Sequence, residues 1–163
     1  DLQSEIKASK NVITSLVANF DELLIIMGNH DAWMIQKLTK SLGSADLQAL
    51  FYGNSSKVKI SPFFWMEFKS AGTEWRVTHP HNAGKGSSKK LSPKFDCNII
   101  QAHNHHFSVQ SAPNGKFIAI EPGMCCDEER MSYVMSRDNA ADKHVTGAVI
   151  IKAGKAVLIN DWM

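Results

Sequence analysis

Two apolar runs constrain the fold of this chain most, because each ends in residues that can bind a metal ion. The run at 23–26 (Leu-Leu-Ile-Ile) is followed at 28–31 by Gly-Asn-His-Asp, and the run at 98–100 (Asn-Ile-Ile) is followed at 101–106 by Gln-Ala-His-Asn-His-His. Such runs are typical of buried strands, and open α/β sheets place their sites at the carboxyl ends of strands. A third run, at 75–78, ends at His79 in the same way. We therefore expect one site to be assembled from three strand ends.

The rest of the pattern predicts an α/β fold in which helices cover layered sheets. Apolar residues recur at helical spacing over residues 2–20, which predicts an amphipathic helix. Helices and strands alternate at first and strands dominate later, which favours sheets packed under helices. The predicted elements are a helix at 2–20, a strand at 23–27 covered on both faces, a helix at 32–42 capped by Asp31, a short helix at 46–51, an extended segment at 58–69 interrupted at Pro62, a strand at 74–78, a loop at 80–93, a strand at 98–102, a hairpin of 106–110 and 116–120, a short strand at 133–137, and a hairpin of 147–152 and 156–160.

The aromatic residues near Pro62 are expected to belong to the core or to a lid rather than to a substrate-stacking surface. They are Phe63, Phe64, Trp65 and Phe68.

Length and composition favour a single globular domain spanning residues 1–163. The hydrophobic fraction is 44%, the charged fraction is 21%, and the net charge of +2 is too small to predict nucleic-acid binding by itself. Four lysines share one Gly/Ser-rich stretch, where a solvated loop is favoured over a phosphate-binding patch. These lysines are Lys85, Lys89, Lys90 and Lys94.

The three cysteines predict no disulfide framework, because their number is odd and Cys125 and Cys126 are adjacent. Buried structural thiols are favoured over a zinc site, since the adjacent pair has no second pair at zinc-finger spacing. This cysteine usage fits a reducing, cytoplasmic location. No apolar run reaches membrane-spanning length and no signal peptide is recognised, so membrane association is not expected.

The histidines are concentrated at the strand ends. Six of the seven lie in three places, at 30, at 79 and 81, and at 103, 105 and 106. Each alone reads best as a satisfied polar residue at the start of a loop, but together they favour a metal site. Imidazole combined with amide and carboxylate oxygen suits Zn, Fe or Mn better than Ca or Mg.

The order of these motifs resembles the calcineurin-like metallophosphoesterase superfamily, and most closely its compact phage and bacterial members. The matching motifs are Gly-Asn-His-Asp at 28–31, His79 after a strand, Ala-His-Asn-His at 102–105 and Glu-Pro-Gly at 121–123. The resemblance runs from the first helix to the last strands. It implies a layered αββα sandwich and two divalent metal ions, with Mn, Fe or Zn as candidates.

The resemblance also implies a role for each matching residue. Asn29 would bind one metal through its amide oxygen and orient the phosphoryl group, while His30 would donate a proton to the leaving oxygen. His79 and His103 would complete the ligands of that metal, and His105 would bind the second. His81 and Lys85 are candidates for contact with the substrate.

Some motifs of the superfamily are missing. The chain has no Asp-x-His and no clear Gly-Asp-x-x-Asp, and Ala102 stands where the superfamily has Gly before His-x-His. Asp1 reads either as the metal-bridging aspartate or as a cap of the first helix. Because the chain begins at Asp1 without Met, we expect it to be the C-terminal two-thirds of the domain, with the N-terminal strands absent.

Two functions follow as expectations. The first is hydrolysis of phosphate esters by a metal-activated hydroxide, as a phosphodiesterase, nuclease or phosphatase, with a phosphate ester and nucleic acid as the expected partners. The second is a scaffold of the same fold that has lost catalysis and binds other proteins. A zinc nucleobase deaminase is excluded, because His-x-Glu followed by Pro-Cys-x-x-Cys is absent.

Overall fold

The computed structural model describes residues 2–38, 46, 49, 52–53, 55–80, 84, 86–125 and 145–160. The chain divides into two compact units, residues 1–65 and 66–163, and each is described by itself below. The expectation of a single domain over 1–163 stays a prediction.

Unit 1 begins with the predicted amphipathic helix. Helix α1 spans Leu2–Asn19, with Ile6 buried to 8% exposure and Val12 exposed at 58%. Its last turn is capped by a residue distant in sequence, because the Lys57 ammonium donates to the carbonyls of Val17 (3.0 Å) and Phe20 (3.1 Å). A cation at this end satisfies carbonyls that have no partner within the helix. The cap therefore ties the end of α1 to the chain that enters strand β2.

The two strands of unit 1 are parallel. Strand β1 (Leu23–Ile26) pairs with β2 (Val58–Ser61), with Leu23 opposite Val58 and Ile26 opposite Ser61. The expectation that both faces of β1 are covered is wrong, because Leu24 remains 45% exposed.

Helix α2 spans Asn29–Leu38, three residues earlier than the predicted start. Asp31 is therefore not the residue that precedes the helix. It lies in the first turn and accepts the N–H of Gly28 at 2.7 Å, as the third residue of a capping box does. Its carboxylate at this end of the helix is also favoured by the helix dipole.

Unit 2 is built on a five-stranded mixed sheet with the order β3-β4-β5-β7-β6. Its central strands β4, β5 and β7 are parallel, while β6 and β7 form the predicted antiparallel hairpin. A second predicted hairpin, β8 and β9, also forms. The bounds are β3 (Trp65–Ser70), β4 (Thr73–Thr78), β5 (Asn98–Gln101), β6 (Phe107–Ser111), β7 (Ile118–Pro122), β8 (Gly147–Lys152) and β9 (Lys155–Asn160).

Both faces of the five-stranded sheet are covered. On one face Trp75, Ile100 and Ile120 pack against the inner residues of the β8–β9 hairpin, such as Val149 and Leu158. The hairpin tip is also tied to the end of β3, because the Gly154 N–H donates to the Ser70 hydroxyl at 3.0 Å. Since side chains alternate along a strand, the neighbouring residues Cys97, Ile99 and Ala119 face the other way.

A helix covers that second face. Helix α3 spans Ser88–Phe95 and packs Leu91 and Phe95 against Cys97, Ile99 and Ala119. The prediction of a continuous loop over 80–93 is therefore wrong from Ser88 onward. The helix packs closely because Ser88 and Ser92, both fully buried, bring small side chains to the sheet. Unit 2 thus has helix, sheet and sheet in successive layers, and the predicted α/β class is confirmed.

Two predicted elements, the short helix at 46–51 and the strand at 133–137, lie largely or wholly outside the described residues. Among the helices that are described, none combines the length and the apolar character needed to cross a membrane.

Candidate functional site

The parallel pairing of β4 and β5 brings two of the predicted ligands to one edge of the sheet. Thr78 lies opposite Gln101, and the Ala102 N–H donates to the Thr78 carbonyl at 3.0 Å. His79 and His103 follow immediately at the carboxyl ends of these strands, where α/β sheets place their sites. Two of the three strand ends expected to form one site therefore meet here, while the part of the third, after β1, stays a prediction.

The two imidazoles face each other. Nδ1 of His103 lies 3.4 Å from Nε2 of His79, and the ring planes cross at 84°. This separation is longer than most hydrogen bonds made by an N–H donor. A tetrahedral ion with nitrogen ligands at about 2.1 Å would hold two such nitrogens about 3.4 Å apart. The pair therefore has the spacing of two ligands of one tetrahedral ion.

The loop that carries His103 has an unusual backbone. His103 has φ 92° and His105 has φ 57°, both in the left-handed region that L residues seldom adopt. Such residues cost about 1–2 kcal/mol each and persist where the surroundings hold them. The surroundings do so here, since the His105 carbonyl accepts the Val145 N–H at 3.3 Å and the His106 carbonyl accepts the Gly123 N–H at 2.9 Å.

A buried carboxylate supports the same loop from β7. Glu121 is 2% exposed and accepts the Asn104 amide on Oε1 and the Ser108 hydroxyl on Oε2, both at 3.3 Å. Asn104 also donates to the Gly84 carbonyl at 3.1 Å. Because Asn104 lies between His103 and His105, these bonds hold the loop in its left-handed form. In the sequence, Glu121 was assigned only to the Glu-Pro-Gly motif at 121–123, although an acidic residue directly after the apolar run at 118–120 was a usable signal.

A second buried polar residue anchors the start of α3. Gln101 is 1% exposed, and its amide donates to the Ser87 hydroxyl at 2.8 Å. Gln101 is the last residue of β5, so this bond joins the strand end to the segment that enters the helix. The histidine edge is thus held by polar contacts on both sides.

The donor set fits part of a metal centre. His79 and His103 supply two nitrogens, but the described residues contain no cluster of three or more His, Cys, Asp or Glu that could hold an ion. The assignment of His105 to a second metal stays a prediction. Within the described part of the chain, the structure therefore brings two candidate nitrogen ligands together and does not complete a metal site.

The remaining predicted residues of unit 1 lie at the start of α2. Asn29 is 7% exposed, and the exposed His30 stacks on Trp33 with ring centroids 5.0 Å apart. Their positions follow from the helix beginning at Asn29, directly after β1. The structure thus makes the His30 ring accessible and the Asn29 side chain largely inaccessible.

The predicted substrate residues His81 and Lys85 lie outside the described residues. Of the lysine cluster, Lys89, Lys90 and Lys94 belong to α3 and are exposed. They therefore form part of a solvated helical surface.

A pocket of about 200 Å³ lies at the opposite end of β4 and β5. Arg76 pairs there with Glu67 at 2.7 Å and lies 3.9 Å from the centre of the Phe95 ring. Burial raises the pKa of the Cys97 thiol, assisted by the negative charge of Glu67. Since the charges are paired and the thiol is held protonated, we do not assign catalysis to this pocket.

Comparison with known proteins gives only distant structural likenesses. No family model matches the sequence, and no curated protein matches it significantly. A single-substitution variant of Vps29 from Entamoeba histolytica is similar in structure at 12% identity and a TM-score of 0.42, with 85% of this chain and 97% of that chain covered. Wild-type Vps29 from the same organism, complexed with zinc, gives 11% identity and a TM-score of 0.40, covering 83% and 77%. At these values neither likeness bears on function.

Proposed function

We propose that this chain takes part in metal-dependent hydrolysis of phosphate esters, in the manner of the metallophosphoesterases that its motifs resemble. One observation carries the proposal: the 3.4 Å spacing of the His79 and His103 nitrogens at the carboxyl edge of a parallel sheet. The spacing suits a tetrahedral ion, and the position is where α/β folds bind ligands.

The chain's own residues would have separate tasks. His79 and His103 would hold a divalent ion, which lowers the pKa of water and neutralises charge on phosphoryl oxygens when bound. The Glu121 carboxylate, through Asn104, would keep the loop of His103 in place, as groups behind a ligand commonly do. The roles of Asn29 in orienting the phosphoryl group and of His105 in binding a second ion belong to the same proposal.

His30 is proposed as the group that protonates the leaving oxygen. Its ring is exposed, as a group that meets substrate must be. Imidazole is the side chain that most readily exchanges protons near neutral pH. His30→Ala should keep bound metal and lose most turnover on esters of poor leaving groups, while activated aryl esters suffer less. Equal losses on both kinds of ester would contradict the acid role.

The proposal is tested by metal content together with hydrolysis. Purified protein is stripped with chelator, reloaded with Zn²⁺ or Mn²⁺, and assayed on nitrophenyl monoester and diester phosphates. His103→Ala should lower both the bound metal and the turnover. His106→Ala is the matched control, because His106 lies in the same loop and is not proposed as a ligand. Unchanged metal stoichiometry in His103→Ala would refute the ligand assignment.

Nucleic acid is proposed as a substrate class because of the exposed lysines on α3. Lys89, Lys90 and Lys94 are exposed on α3, and contacts to phosphates make binding depend steeply on salt. Replacing these lysines with Gln should weaken DNA binding and flatten its salt dependence. An unchanged salt slope would remove the lysines from the proposal.

A second candidate is a protein-binding scaffold that retains the fold. The outer face of the β8–β9 hairpin favours it, because Ile150 (50%), Val157 (50%) and Ile159 (47%) are exposed on a strand pair whose inner face already packs on the sheet. Exposed apolar patches often mark interaction sites. A purified protein that binds metal stoichiometrically but hydrolyses none of the phosphate esters tested would favour this candidate.

A further inference from the structure

Unit 1 presents two stacked aromatic pairs with exposed members. His30 and Trp33 stack with centroids 5.0 Å apart and ring planes at 28°, and Phe63 and Trp65 stack at 5.5 Å and 18°. Trp33 is 51% exposed and Phe63 is 57% exposed. Of the two places expected for Phe63, the core is therefore excluded and a lid stays a prediction, and a role for these rings outside the core has to be considered.

Both pairs follow the carboxyl ends of strands β1 and β2. The two strands are parallel, and Ile26 lies opposite Ser61. Phe63 follows Ser61 by two residues, and His30 and Trp33 follow Ile26 in the first turn of α2 and just beyond it. We call the set of His30, Trp33, Phe63 and Trp65 the aromatic edge.

Local hydrogen bonds order both halves of the aromatic edge. The bond from Gly28 N–H to Asp31 fixes the first turn of α2, on which residues three apart, such as His30 and Trp33, are neighbours. The Ser61 hydroxyl accepts the Phe63 N–H at 3.2 Å and donates to the Trp65 carbonyl at 2.9 Å. The backbone that carries the rings is thus ordered before any ligand arrives, which reduces the entropy lost on binding.

We propose that the aromatic edge binds the nucleobase of an unpaired nucleotide. Flat rings with one face exposed are the platforms on which single-stranded bases stack, whatever the base. The exposed members Trp33 and Phe63 are aromatic rather than aliphatic, which favours a flat aromatic ligand over a flexible apolar one. The observations that support binding come from unit 1 alone. The interpretation of the aromatic edge as a substrate site rests on the proposed function, and the substrate class would then be phosphate esters that carry a nucleobase.

The test measures binding without hydrolysis. Fluorescence anisotropy of a labelled oligothymidylate is followed in the presence of chelator, beside an abasic oligonucleotide of equal length that keeps the phosphates. Trp33→Leu and Phe63→Leu keep an apolar side chain and remove the aromatic face, and Trp33→Phe restores an aromatic face. Val12→Ala is the control, since Val12 is comparably exposed at 58% on α1.

The expected result is that the abasic strand binds more weakly than oligothymidylate and that each Leu variant loses about 5-fold or more in affinity for the latter. Trp33→Phe should recover most of the affinity, and Val12→Ala should match the parent. Equal binding of both strands, or unchanged affinity in Trp33→Leu, would overturn the inference. Competition by thymidine monophosphate distinguishes a free nucleotide from a strand as the source of the base. Because the binding assay needs no metal, base binding by protein that hydrolyses no phosphate ester after reloading with Zn²⁺ or Mn²⁺ would refute the proposed hydrolysis and leave this inference standing.

Discussion

Removal of the Glu121 carboxylate is the perturbation whose effect the structure specifies best. Glu121→Ala deletes the carboxylate that accepts hydrogen bonds from Asn104 and Ser108, both at 3.3 Å. Glu121 is only 2% exposed, so water does not readily replace the carboxylate. Hydrogen bonds to a charged group contribute about 1.5–3 kcal/mol each, and the long distances place these at the lower end. Asn104 keeps its bond to the Gly84 carbonyl. The expected loss is therefore about 3 kcal/mol in the free energy of unfolding.

Urea unfolding of Glu121→Ala, Glu121→Gln and an exposed control measures this loss. Glu121→Gln keeps the volume and one acceptor, so it should cost about 1 kcal/mol. Glu74→Gln is the control, because Glu74 makes an exposed ion pair with Lys69 that should contribute little to stability. Glu121→Ala should also lower zinc affinity about 10–100-fold by releasing the loop of His103. Stability within about 0.5 kcal/mol of the parent, together with unchanged zinc affinity, would refute the reasoning.

Further predictions concern the backbone and two titrating groups. Gly123→Ala should cost about 3 kcal/mol by thermal unfolding, because φ is +84° and a Cβ would overlap the Val145 carbonyl. Gly115→Ala is the control: φ is +69° there but the space is open, so it should cost about 1 kcal/mol. Equal costs of the two substitutions would disprove the overlap. Cys97, at 4% exposure and with its pKa raised by burial, should alkylate at least about 10-fold more slowly at pH 8 than the exposed Cys125. The folded state disfavours the Cys97 thiolate, so this residue should make stability fall as pH rises above about 8.5, and Cys97→Ala should reduce that fall. Burial raises the pKa of Tyr52 to about 12, so ultraviolet titration should show one tyrosine ionising near that pH, and a pKa near 10 would contradict its burial.

Much of the secondary structure could be predicted because the local signals were strong. Asn114 and Gly115 mark the β6–β7 turn, and Ala153 and Gly154 mark the β8–β9 turn, where both residues have positive φ. Helix α3 was missed because its serines and lysines resemble a loop when read alone. Its small side chains are explained by the close packing of the helix on the sheet, where Ser88 and Ser92 are buried.

The candidate site was predicted in part, because its histidines also follow strong local signals. Histidines after apolar strands predicted a shared edge, and the facing nitrogens of His79 and His103 confirm that the edge exists. The position of Glu121 after an apolar run was a signal in the sequence, but its burial depends on neighbours supplied by other segments.

By itself, the sequence determined which segments become strands and hairpins and which polar residues lie at their ends, because apolar periodicity and turn residues act over a few neighbours. Tertiary structure alone decided that His79 and His103 meet, because their separation depends on the parallel register of β4 with β5 and on a loop held in left-handed conformation from β7. Register and buried support are properties of packed elements, and a single stretch of chain does not specify them.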